Sequence, residues 1–124
     1  MGHAAEGRTP PARLDAEAAR SVAATLQALA TPSRLLILGR LREGPVTVTA
    51  LASEVGMEQS AVSHQLRLLR GLGLVDGQRQ GRSITYSLYD DHVAALLDEA
   101  VYHAEHLRLG LRDRSEPGYS RAAR

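Results

Sequence analysis

The chain has 124 residues, a length typical of one compact domain. It contains no cysteine, which excludes disulfides, thiolate metal sites and cysteine nucleophiles. The net charge is only +1, and neither a signal region nor an apolar run near the ~20 residues that span a bilayer is present, so we expect a cytoplasmic protein with no membrane partner.

Two helices are predicted in the first third of the chain. Residues 1–13 lack apolar periodicity and are expected to form a flexible arm. An Ala-rich stretch that begins at Asp15 has apolar residues at helical spacing and predicts the first helix. Thr31 and Pro32 are typical of an N-cap and a first-turn proline, and they predict a second helix that ends at Gly44.

A helix-turn-helix follows in the sequence. Thr47 can cap a third helix, and Gly56 supplies the left-handed residue that closes it. A fourth helix is predicted to start around Gln59. Its apolar residues recur at steps of four and three, which places one face inward: Val62, Leu66 and Leu69.

The remaining pattern predicts a hairpin and one long helix. Residues 74–75 and 83–88 read as strands joined through Gln80 and Gly81. The last helix is expected to begin at Asp90 or Asp91 and to run to about Leu111, and residues 112–124 are expected to be disordered. The fold class predicted is mainly α with a β-hairpin wing, a winged helix-turn-helix over residues 14–111.

The region around the fourth helix is suited to DNA. Between Gln59 and Arg82 there are four Arg and one Asp, so this segment favours a polyanion. Short polar side chains on a helix can reach base edges in the major groove, and the candidates are Gln59, Ser60, Ser63, His64 and Gln65. Cations on either side can hold phosphates, and the candidates are Arg67, Arg79 and Arg82.

These residues resemble a known family. The string from Ser60 to Arg70, followed by Gly73-Leu74-Val75 and by Gly81-Arg82 with Tyr86-Ser87-Leu88, is similar to the recognition helix and wing of the ArsR/SmtB family of metal-sensing repressors. The resemblance implies a homodimeric repressor that binds double-stranded operator DNA, not an enzyme. Glu58 stands where the family commonly has a small polar N-cap residue. The resemblance to the family is therefore weaker at the start of this helix.

Histidines and acids in the last helix predict a metal site. Five acids and no Arg occupy the segment from residue 89 to 106, which favours a cation. Asp90 and His92 lie at the start of the helix, and His103 and His106 lie near its end. Positions 92 and 103 share a face but are ~16 Å apart along the axis, so one ion cannot bind both pairs. The two pairs must complete separate sites or meet another chain.

An apolar stripe on the same helix favours a partner chain, and it consists of Val93, Leu96, Leu97, Ala100, Val101, Ala104 and Leu107. Two copies packed antiparallel about a twofold axis would bring Asp90 and His92 of one chain to His103 and His106 of the other, giving four ligands per site and two sites per dimer. The four-residue pattern resembles the last-helix site of zinc, nickel and cobalt sensors in the family. Asp98 and Glu99 are interpreted as a solvated face. The expected dimer interface is Leu26, Val93, Leu96, Leu97, Ala100, Val101 and Ala104.

The first residues of the chain favour nickel or cobalt over zinc as the metal. Gly2 favours removal of Met1, which frees an α-amine beside the imidazole of His3 and offers two further ligands. This start, with segments 26–34 and 56–60, resembles nickel- and cobalt-sensing members of the family. We therefore expect a repressor that nickel or cobalt releases from the operator of a metal efflux gene, with no organic cofactor. A zinc sensor using the same site is the alternative; a small zinc hydrolase is a further one, but no nucleophile or substrate pocket is evident.

Overall fold

The computed structural model describes residues 11–110. Most of the predicted arm, its candidate ligands Gly2 and His3, and the predicted tail lie outside the described residues. The described part consists of five helices and three short strands, in the order α1 Ala16–Ala28, α2 Pro32–Arg42, β1 Val46–Thr47, α3 Val48–Val55, α4 Gln59–Gly71, β2 Val75–Gln80, β3 Ser83–Leu88 and α5 Asp91–Leu109.

The predicted caps Thr31 and Thr47 are confirmed, and Asp15, where the first helix was expected to begin, is also a cap. Asp15, Thr31 and Thr47 each accept a hydrogen bond from the backbone N–H three residues further on, at 2.8 to 3.3 Å. Gly56 ends α3 with a φ of 71°, the left-handed conformation that the turn to α4 requires. Glu58 precedes α4 without a side-chain cap hydrogen bond, as expected for a glutamate at this position.

The core lies between α2, α3, α4 and the sheet, and it is aliphatic. The inward face predicted for α4 is confirmed, because Val62, Leu66 and Leu69 are fully buried. The other large side chains that are almost completely buried are Ile37, Leu38, Leu51 and Val75. This packing fixes α3 and α4 against each other, so the exposed side of α4 is held on a rigid support.

The sheet has a third strand in addition to the predicted hairpin. Strand order is β1-β3-β2, and β1 pairs antiparallel with β3 through Val46 opposite Tyr86. Val46 and Thr47 lie where the sequence predicts the start of α3, and two residues show no alternation there, so the pattern does not indicate β1. The hairpin turns through Gly81 and Arg82, with φ of Gly81 at 66°.

Helix α1 joins the rest of its chain through its last turn. Ala28 is buried, and Leu29 packs partly buried against the core. Leu26, one turn earlier on the same helix, is 48% exposed. Among the described residues no single helix is long and apolar enough to cross a membrane, and the pair α1 and α2, bent by 86°, passes that test by length and composition only.

Gly77 in β2 provides a test of the wing packing. A Cβ at Gly77 would lie 2.9 Å from Cε1 of Tyr86, whose ring is buried, so the packing around the ring would have to shift. We expect Gly77→Ala to lower the free energy of unfolding by about 1–3 kcal/mol through overpacking. Gly39→Ala is the matched control, because Gly39 lies in α2 with nothing within 4 Å, and this change is expected to raise stability by about 0.5–1 kcal/mol. Urea unfolding of both variants measures the difference, and a shift of the same sign in both would contradict the packing described.

Helix α5 is tied to α2 by an ion pair that the sequence did not predict. Nε and Nη2 of Arg42 donate to the two carboxylate oxygens of Asp98 at 3.0 and 2.8 Å. The hydrogen bond to Arg42 holds the pKa of Asp98 below its ordinary value. Asp98 is exposed, as expected for a solvated face, and the structure adds Arg42 as its partner.

This ion pair predicts a pH-dependent stability difference. A carboxylate whose pKa is lowered by folding stabilises the native state above its unfolded pKa of about 3.9, and this stabilisation is lost as the pH falls through the folded pKa. Wild type should therefore have a higher Tm than Asp98→Asn at neutral pH. This difference in Tm should disappear as the pH falls below about 4. Thermal unfolding across this range measures it, with Glu99→Gln as the control for loss of a neighbouring carboxylate. A difference in Tm that stays constant with pH would contradict the ion pair between Arg42 and Asp98.

Candidate DNA-binding and metal-binding sites

The predicted base-reading residues lie along the outer side of α4. Gln59, Ser60 and His64 are exposed, and Ser63 is half-buried. A groove runs between the starts of α3 and α4 and the hairpin, and the side chains lining it include Thr47, Val48, Thr49, Gln59, Ser63, Arg82, Ser83 and Ile84. The structure therefore brings the start of α4 and the tip of the hairpin to one surface, with a contribution from α3 that the sequence did not predict.

The predicted phosphate-binding arginines are all exposed, and Arg82 is among the residues that line this groove. Arg67 is exposed on α4, and Arg79 and Arg82 are exposed near the hairpin turn. Nη1 of Arg79 donates to the backbone oxygen of Gly81 at 3.5 Å, which keeps its guanidinium near the tip. Exposed cations on α4 and on the hairpin are suited to binding DNA phosphates beside a major groove.

Gln65 differs from the other candidates because it has a partner within the chain. Its Oε1 accepts a hydrogen bond of 2.8 Å from Nε of Arg34 in α2. Arg34 was not among the predicted site residues, since no local pattern shows that a side chain 31 positions away in the sequence meets α4. The structure thus adds Arg34 to the residues that determine how α4 presents its polar face.

At the start of α5, Asp90 and His92 lie side by side. Oδ1 of Asp90 caps the helix by accepting from the N–H of His92 and Val93 at 3.0 and 3.3 Å. Its Oδ2 lies 3.4 Å from Nδ1 of His92, whose side chain is 85% exposed. The cap therefore turns the carboxylate toward the imidazole, and the two groups present donor atoms to the same exposed region.

The second pair lies at the other end of α5. His103 is exposed, and His106 is half-buried with its ring centroid 4.1 Å from that of Tyr102. In residues 11–110 no group of three or more metal-ligating side chains comes together within one chain. The four predicted ligands therefore lie as two separate pairs within the described chain, and their carboxylate and imidazole donors are of the types that zinc, nickel and cobalt accept.

The apolar stripe of α5 is divided between the core and the surface. Val93 and Leu97 are each only 6% exposed and pack inside their own chain, so their predicted place at the dimer interface is corrected. Further along the helix, Val101 is 68% and Leu107 is 66% exposed. The stripe is continuous in sequence, but the domain covers only its first turns. The other predicted interface residues remain available for a partner: Leu26, Leu96, Ala100, Val101 and Ala104.

Comparisons with known proteins agree with this architecture. The profile described as "Bacterial regulatory protein, arsR family" matches residues 31–76. The HTH-type transcriptional regulator NmtR of Mycobacterium tuberculosis is 71% identical over 115 residues, 92% of this chain and 96% of that protein. A solution structure of apo-NmtR, 68% identical, matches with a TM-score of 0.69 over 91% of this chain and 96% of that one.

A less similar relative has the same architecture. The homodimeric winged helix-turn-helix DNA-binding domain of a possible ArsR-family transcriptional regulator from Mycobacterium bovis is 29% identical. It matches with a TM-score of 0.72 over 86% of this chain and 100% of that one. The predicted winged helix-turn-helix fold is confirmed.

Proposed function

Because the chain belongs to the arsR family of bacterial regulatory proteins, we propose that it is a metal-responsive repressor whose metal-free homodimer binds operator DNA and releases it on binding nickel or cobalt. Membership of the family confirms a DNA-binding regulator of transcription and not an enzyme. The regulated gene in this proposal encodes a metal exporter, and the repressor works in the cytoplasm.

The positions of the four candidate ligands along α5 are the observation that supports this proposal. Asp90 and His92 lie together at its start, while His103 and His106 lie near its end. The exposed part of the stripe, including Val101, lies between the two pairs. Two such helices packed antiparallel bury the stripe and bring a carboxylate and three imidazoles together at each end. The homodimer then has two metal sites.

The surface around α4 supports the DNA half of the proposal. A twofold dimer presents two α4 helices, and half-sites of a palindromic operator recur about one helical turn apart, ~34 Å. Gln59, Ser63 and Arg82 share one groove, so bases and phosphates can be contacted by the same surface. His64 and Arg67 extend this surface along α4.

Release requires that the metal-bound dimer differ in shape from the DNA-bound dimer. A divalent ion would supply bonds that link the two chains. The four donors, two from each chain, then hold the α5 helices at one mutual angle, and the α4 helices no longer match successive major grooves. A coupling of about 1–3 kcal/mol between the two binding events suffices.

The proposed metal follows from the N-terminus. Gly2 and His3 add an amine and an imidazole, and nickel and cobalt accept more than four ligands, whereas zinc is satisfied with four. The resemblance of this segment to nickel- and cobalt-sensing members of the family points the same way. A zinc sensor using the same α5 residues is the second candidate, since the chemistry of imidazole and carboxylate does not exclude it.

The test is a DNA-release assay on protein with its native N-terminus. Operator DNA is first selected from random duplexes by the metal-free protein, and the complex is then titrated with nickel, cobalt and zinc while fluorescence anisotropy reports release. We expect nickel and cobalt to release the DNA, and His3→Ala to shift the response toward zinc. Release by zinc at the lowest concentration would favour the second candidate, and no release by any ion would contradict metal sensing.

A further inference from the structure

One guanidinium joins three helices of the described chain. Arg34 lies half-buried in the first turn of α2. Its Nε donates to Oε1 of Gln65 in α4 at 2.8 Å, and its Nη1 donates to the backbone oxygen of Ala28 at 3.3 Å. Ala28 is the last residue of α1. A planar guanidinium holds two acceptors in a fixed relative direction, which a lysine ammonium cannot do.

The contact with Ala28 matters because α1 has little else to fix its direction. Ala28 is buried, but Val22 and Leu26 on the preceding turns are 42% and 48% exposed. The carbonyls at a helix C-terminus carry partial negative charge, so a cation there is favourable. Arg34 therefore holds the end of α1 at the point where this helix enters the core.

The contact with Gln65 connects Arg34 to α4. Gln65 is next to Leu66, which is fully buried, so its backbone follows the position of α4 in the core. Its amide oxygen accepts the hydrogen bond from Arg34. A glutamine reads adenine by presenting oxygen and nitrogen together, and in Gln65 the oxygen already accepts a hydrogen bond from Arg34. The hydrogen bond therefore connects Gln65 in α4 to Arg34 in α2.

We propose that Arg34 is a positioning residue that sets the DNA-reading helix α4 relative to α1 through Gln65. The inference rests on the proposed function, because it gives the α1 side of the dimer a direct physical connection to operator recognition. A change in how α1 packs on a partner chain is transmitted to α4 by this one side chain. Arg34 acts on recognition without contacting a base.

A double-mutant cycle on metal-free protein tests the link. Arg34→Met and Gln65→Met each remove the hydrogen bond while keeping an unbranched side chain of similar length. We expect each variant to weaken operator binding about tenfold, with little change on random-sequence DNA, and the double variant to be no weaker than either single one. Arg34→Lys should resemble Arg34→Met, because a charge without the fork does not hold both acceptors.

Other roles for the two residues give different results. If Arg34 neutralises a phosphate, Arg34→Met weakens operator and random DNA alike and lowers the salt slope by about one. If Gln65 reads a base, the two losses add in the double variant. Either result would overturn the proposal.

A second readout does not depend on DNA. Gln65→Met removes the partner of Arg34 on α4, and it should speed amide hydrogen exchange in the last turn of α1, at Ala28 and Leu29, in the free protein. Gln78→Met, an exposed glutamine on the wing, is the control and should leave these amides unchanged. Unchanged exchange in Gln65→Met would show that the link is absent. Failure of the wild type to select any operator would instead contradict the proposed function, while the exchange result still decides the link.

Discussion

His103→Ala is expected to abolish metal-driven release of operator DNA while metal-free operator binding stays within about twofold of wild type. Allosteric coupling typically changes affinity by about 5–150-fold, and loss of one of four donors should bring the ratio of metal-free to metal-bound operator affinity close to one. Operator affinity with and without nickel, measured by fluorescence anisotropy, gives this ratio directly.

His103 is the most informative of the four proposed ligands because its side chain has the fewest structural roles. In the described part of the chain it makes no hydrogen bond or ion pair, and it is exposed. Asp90 also caps α5, so Asp90→Ala would destabilise the helix by about 1 kcal/mol as well as removing a donor. His106 packs against Tyr102.

Glu99→Ala is a suitable control for the histidine variant, since it removes another exposed side chain from the same helix. It should release DNA as wild type does. Normal release by His103→Ala, or equal loss in Glu99→Ala, would mean that the α5 histidines are not the sensing site. Loss of metal-free DNA binding in His103→Ala would instead indicate that the helix contributes to operator recognition in another way.

The features that could be predicted from the sequence are those that depend on residues close to one another in the chain. The caps at Thr31 and Thr47 and the left-handed turn at Gly56 each depend on residues within four positions, so the sequence displays them directly. The inward face of α4 could be predicted for the same reason, because helical periodicity places Val62 and Leu66 on one side.

Contacts between distant segments were not visible in the sequence. Arg34 meets Gln65 across 31 positions and Arg42 meets Asp98 across 56, and neither pair leaves a periodic signal. For the candidate site, pairing of Asp90 with His92 could be anticipated, because a capping side chain points out of the helical register. Whether His103 reaches a partner chain depends on assembly, which no local pattern determines.

The apolar stripe of α5 is another case in which the sequence does not show what each residue contacts. Periodicity groups Val93, Leu97 and Val101 on one face without stating what covers each residue. The structure assigns the first two to the core and leaves Val101 68% exposed. Because α5 continues beyond the domain that its first turns pack against, its later apolar residues are suited to a second copy of the helix.

Val101→Asp is therefore expected to convert the dimer into folded monomers and to weaken operator binding by at least about 100-fold. The twofold axis places two such carboxylates in one interface, and burying an unpaired charge costs several kcal/mol. The isolated chain should tolerate the change, since Val101 lies on its surface. Sedimentation equilibrium measures the mass, circular dichroism the helix content, and anisotropy the DNA affinity.

Two further substitutions make this result decisive. Val101→Thr has nearly the same shape without a charge, and it should remain dimeric and bind operator with at most a modest loss. Val93→Asp places the same charge in the core, where Val93 is 6% exposed, and it should unfold the chain instead of dissociating it. A Val101→Asp protein that sediments as a dimer and still binds operator would rule out pairing through this part of α5, and with it a metal site shared between two chains.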